Sequence, residues 1–147
     1  MPKLEHLLQD TSVALLELEA AVMRLRDVEI ELDESELALK EDQEEIDNYT
    51  SDIADCCSRI EAIDKFVRDI HAGNVPDVAD KGAMLSEMAD EREEEKHSID
   101  KLSEARACHE QQVQQLRIDR STLQTERLML HKKISHVLEA ETSRPAL

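Results

Sequence analysis

Three cysteines and six histidines are the side chains of this sequence best suited to ligate a metal or attack an electrophile. Their spacing argues against either role. Cys56 and Cys57 are adjacent and Cys108 stands far along the chain, so no histidine or third thiol completes a soft-metal site. His131 and His136 lie five apart and share a helical face poorly. There is no Gly-rich phosphate loop, no HExxH, no CxxC pair and no acidic loop with calcium-ligand spacing. The sequence therefore gives no ground for expecting a catalytic residue, a cofactor, a metal or a small-molecule ligand. Cys56 reads as a small apolar core residue with Cys57 as its neighbour, and His109 reads as a polar layer that sets register.

The elements that carry these residues follow from composition and period. The 147 residues include one Phe, one Tyr, no Trp, two Gly and three Pro, with 36% charged side chains. Aromatic filling of a globular core is therefore missing, and the backbone has few places to turn. A seven-residue column resolves what the chain does instead. Its a positions read Leu4, Thr11, Leu18, Leu25, Leu32, Leu39, Ile46, Ile53, Ile60 and Val67. The d positions are Leu7, Ala14, Ala21, Val28, Ser35, Asp42, Tyr49, Cys56, Ile63 and Ile70. A heptad sustained over ten repeats predicts a coiled-coil helix.

A second heptad tract follows a break. Its d column runs from Met88 through Leu102, His109, Leu116, Leu123 and Leu130 to Val137, with Glu95 as a polar exception. Its a column contains Arg92, Arg106, Arg120 and Arg127. The sequence predicts helix 1 over 1–72, a turn over 73–80, helix 2 over 81–142 and a tail over 143–147. Gly73 suits a helix end, Pro76 cannot continue the helix, and Asp77 or Asp80 can cap the next one. Ser143-Arg144-Pro145 stops the second helix.

The four arginines choose the topology. In a parallel homodimer each would face its own copy in the seam, where repulsion and desolvation act together. Folding the chain back near residue 77 removes that conflict. Leu18 then meets Val137, Leu25 meets Leu130, Leu32 meets Leu123 and Leu39 meets Leu116. Arg120 faces Ser35, Arg127 faces Val28 beside Asp27 and Glu29, Arg106 faces Tyr49 as a cation–π partner, and His109 faces Ile46. The expected fold is all-α: two long helices in an antiparallel coiled-coil hairpin, its open end extended into a helical bundle by partner chains.

One apolar stripe is left over. Val13, Leu16, Ala20, Met23, Ile30 and Leu37 repeat at three- and four-residue spacing on the face of helix 1 opposite the seam. The matching later positions are Glu44, Ser51, Ser58 and Lys65. On helix 2, Ile118, Leu128 and Met129 are apolar yet outside the seam, and Leu8, Leu15, Val22 and Leu138 widen the same end. The six stripe residues of helix 1, with Ile118, Leu128 and Met129, are the expected partner-binding set. The later half of helix 1 and the start of helix 2 carry acidic or small polar residues outward and read as a solvated arm.

A formal net charge of −17 argues against direct binding to nucleic acid or to anionic membrane. No secretory signal or membrane-spanning run appears. Three cysteines make no disulfide framework and fit reduced thiols in the cytosol or nucleus, and the chain is expected to be cytoplasmic. The expectation is a non-enzymatic structural subunit that binds other coiled-coil proteins as a hetero-oligomer. A cytoplasmic, cytoskeleton-associated assembly of the microtubule-nucleation, kinetochore or ciliary type is the first reading. A subunit of a membrane-trafficking tether or organelle-positioning complex is the alternative.

Overall fold

In a computed structural model of the chain, residues 2–75 and 80–142 are described, with side chains from residue 12 onward. Two helices account for nearly all of it: α1, Pro2–His71, and α2, Lys81–Thr142. They pack against each other as a helical hairpin. Pro76 and Asp77, the tail over 143–147, and the side chains of Leu4, Leu7, Leu8 and Thr11 lie outside the described residues.

The end of α1 is set by Gly73. Its φ of 75° is the left-handed conformation that a Cβ disfavours. This lets the Asn74 N–H reach the Asp69 carbonyl at 2.9 Å and the Gly73 N–H reach the Ile70 carbonyl at 3.1 Å. These two bonds satisfy carbonyls that a helix end would otherwise leave open. At the start of α2, Asp80 accepts the Ala83 N–H at 3.0 Å on its side chain, while its carbonyl accepts the Met84 N–H at 3.2 Å. Asp80 is thus the N-cap.

The heptad columns identify the face that each helix hides. Every a and d residue of α1 from Ala14 to Ile70 is buried or half-buried, with Val28 and Ile70 almost fully so. On α2 the same holds from Leu85 to Val137 with one exception, Arg127, which is exposed. Val28 is fully buried, and an exposed guanidinium on the long Arg127 stem avoids the desolvation that burial would impose.

The chain divides into two compact units, Met1–Leu39 with Gln114–Leu147, and Lys40–Val113. The first, unit 1, holds the seam residues Ala21, Val28, Leu32 and Ser35 as its best-buried positions. In the second, unit 2, Cys56, Ile70 and Val113 take that place.

Candidate docking site

Each helix offers one stripe to the other, so apolar residues elsewhere on the helix surface remain in water. In unit 1 they do. Leu16 is 65% exposed, Met23 62%, Leu37 59% and Ile30 50%, and Val13 and Ala20 are likewise exposed. These six share one face of α1. Leu15 and Val22 broaden it at the Val13 end and are about as exposed. On α2, Ile118, Leu128 and Met129 are exposed too, but they form a sparser patch. Ile118 and Met129 are three turns apart, and the residues between them on that stripe are Thr122 and Thr125. The two threonine hydroxyls bond back to their own helix, at the Ile118 and Ser121 carbonyls.

Every large hydrophobic side chain that stands exposed among the described residues belongs to unit 1, none to unit 2. The corresponding face of α1 in unit 2 carries Glu44, Ser51, Ser58 and Lys65, all exposed.

Beside the unit 1 seam, Arg24 clamps Glu126 with two parallel bonds, Nε to Oε1 at 2.6 Å and Nη2 to Oε2 at 2.9 Å. A third bond runs from Nη1 to Glu31 at 3.3 Å. The hydrogen bond to Glu126 raises the Arg24 guanidinium above its ordinary range, and the same bond lowers the Glu126 carboxyl. Sequence reasoning missed this pair. Both residues flank the seam at g positions, which an antiparallel register brings together, and that was the available signal.

Unit 2 keeps its polar groups at the seam. Arg59 donates to Glu95 at 2.8 Å, and Arg92 donates to Asp64 at 2.8 Å. These bonds lower the Glu95 and Asp64 carboxyls. The two pairs centre on residues 77 and 78, where the sequence placed the fold-back. Arg59 also reaches the Cys56 sulfur at 3.2 Å. Burial pushes the Cys56 thiol up, Glu95 adds to that, and Arg59 opposes it. Cys56 is thus a poor nucleophile inside the seam, while Cys57 and Cys108 are exposed and unpaired.

One expected seam contact is replaced and another gains polar partners. Arg106 does not stack on Tyr49; it sits 3.6 Å from Glu110 and 3.4 Å from the Thr50 hydroxyl. The ring against Tyr49 is His109, with centroids 5.5 Å apart. The His109 Nδ1 lies 3.0 Å from an Asp42 oxygen, one turn from the Ile46 partner expected for it. A half-buried carboxylate and an imidazole satisfy each other better than either satisfies an aliphatic side chain.

Among the described residues no group of three His, Cys, Asp or Glu side chains is placed to hold a metal ion. No described helix is long and apolar enough to cross a membrane. Neither a known protein family, nor a characterised protein, nor a solved structure matches the chain, so geometry alone carries its functional reading.

Proposed function

We propose that the chain is a structural subunit that scaffolds a larger assembly by docking partner helices on the exposed apolar face of unit 1. One observation carries this reading: the large exposed hydrophobics of the described residues are confined to that unit. Scattered surface aliphatics are ordinary, but a stripe with one sequence period, on a helix whose seam is already filled, is not. Each aliphatic side chain covered by a partner would contribute on the order of 1.5–3 kcal/mol of gross transfer energy. Ordering and association costs leave a smaller net affinity. A cytoskeletal assembly of the microtubule-nucleation, kinetochore or ciliary type suits the long paired helices and the acidic surface, and the partners are other coiled-coil proteins.

Paired substitutions on equivalent helix positions provide the test. Met23→Glu with Ile30→Glu is expected to abolish recovery of partners on affinity purification while helicity by circular dichroism stays near that of the parent. Ser51→Glu with Ser58→Glu is expected to leave recovery unchanged. Equal recovery from both double variants would reduce the stripe to surface noise. A tagged copy that marks cytoskeletal structures supports the assembly class proposed; one that marks membranous organelles replaces it with a trafficking tether.

A further inference from the structure

The edges of the α1 stripe are as specific as its centre. On a helix the neighbours of a surface residue stand three and four positions away. For Met23, Ile30 and Leu37 within unit 1, those neighbours include Glu19, Asp27, Asp33 and Glu34, against one cation, Arg26. All five are exposed. None of the four carboxylates is in an ion pair among the described residues, whereas the nearby Arg24 is occupied by Glu126 and Glu31. The stripe is thus an apolar band edged by Glu19 and Asp33 and broken by Asp27 and Glu34, with a net excess of negative charge. It spans 25 residues from Val13 to Leu37, or roughly 36 Å at about 1.5 Å per residue step.

We infer that the occupant of this band is a basic amphipathic helix of another protein. It carries apolar residues at three- and four-residue spacing, flanked by Lys or Arg that meet Glu19, Asp27, Asp33 and Glu34. This rests on the docking function proposed above and names the chemistry of the partner. A second copy fits the band poorly. Pairing α1 with α1 across a two-fold axis would set the same carboxylates against each other. The α2 surface of a second copy offers Arg127, Lys132 and Lys133 beside Leu128 and Met129, but its four exposed large hydrophobics, Ile118, Leu128, Met129 and Leu138, are fewer than the seven on α1.

Three synthetic helical peptides of about 25 residues, a length set by the band, serve as probes. They share one Leu/Ile seam and differ only in their flanking residues, which are Lys/Arg, Gln or Glu. Each is titrated against the full chain by fluorescence anisotropy at low and high salt, beside sedimentation equilibrium of the chain alone. The basic peptide is expected to bind about tenfold more tightly than the Gln peptide, the Glu peptide more weakly than either, and salt to narrow the differences. Asp27→Lys with Glu34→Lys, which leaves the apolar residues in place, is expected to remove or reverse that order. Equal binding of all three peptides would overturn the charge preference and leave the docking function standing. Binding of none by a monomeric chain would overturn both. A chain that self-associates, and ceases to on Met23→Glu with Ile30→Glu, would make the second copy the occupant and overturn the inference.

Discussion

Unit 1 and unit 2 are built from the same two helices and the same heptad, yet they distribute polarity in opposite ways. Unit 1 has an aliphatic seam, with Val28 and Leu32 sealed, and leaves further aliphatics such as Leu16 and Met23 in water. Unit 2 brings Asp42, Glu95, Arg92 and His109 into or beside its seam and exposes no large hydrophobic among its described residues. Paired seam charges contribute little net stability, but removing one partner strands the other, so they select register. Exposed aliphatics contribute nothing to an isolated hairpin and become valuable only when covered. The contrast teaches that unit 2 is complete in itself, whereas unit 1 carries surface that its own partner helix does not use.

The sharpest way to break this contrast is to compare two leucines of unit 1. Leu32 is 5% exposed and Leu37 is 59% exposed. Leu32→Ala is expected to destabilise the chain by about 3 kcal/mol in urea denaturation, through lost burial and a residual cavity. Leu37→Ala is expected to stay within about 0.5 kcal/mol of the parent. Similar effects from the two would mean that Leu37 already contributes to folding and is not spare.

A smaller effect of opposite sign belongs to Ser35. Its hydroxyl is buried in the unit 1 seam with no hydrogen-bond partner. Ser35→Ala removes that unsatisfied group and is expected to raise stability by roughly 1 kcal/mol in the same measurement. A loss of stability would show that the hydroxyl has a partner after all.

The smallest effect is electrostatic, because Arg24 and Glu126 are both substantially exposed and their attraction is screened. The Glu126 carboxyl is lowered in the fold, so its contribution is full above the ordinary value of 4.5 and is lost as pH falls through the folded-state value. Glu126→Gln is therefore expected to lower the urea midpoint near neutral pH, and the difference from the parent to shrink as the pH falls below 4.5. A difference that persists in acid would assign the loss to packing rather than charge.

Much of this was legible in the sequence, for identifiable reasons. A period of seven fixes which residues of a long helix face a neighbour, so the hidden columns from Ala14 to Ile70 and the outward positions of Met23 and Ile30 could be read without coordinates. Gly73 and Asp80 act through local backbone chemistry, which a short stretch of sequence states directly. The polar contacts were not legible. Long side chains reach a turn up or down the helix, so His109 reaches Asp42, and Arg106 reaches Thr50 and Glu110. Arg127 had the heptad position of a seam residue, but a flexible stem lets its charge leave the seam. Of the candidate site, the period gave the stripe.

The stripe on α1 is spare only if the chain's own α2 already fills the seam, and that is the claim on which the account stands. Leu32 and Leu123 belong to facing layers in the fold-back register, and Leu123 lines one groove with Ser35, a turn from Leu32. Cysteines introduced at both positions, in a chain from which Cys56, Cys57 and Cys108 have been removed, test it by oxidation at low protein concentration. A crosslink within a single polypeptide is expected, seen as a faster-migrating monomer on a non-reducing gel. Crosslinking only between chains would contradict it, because the seam of α1 would then be filled by a second molecule and the hairpin would not exist.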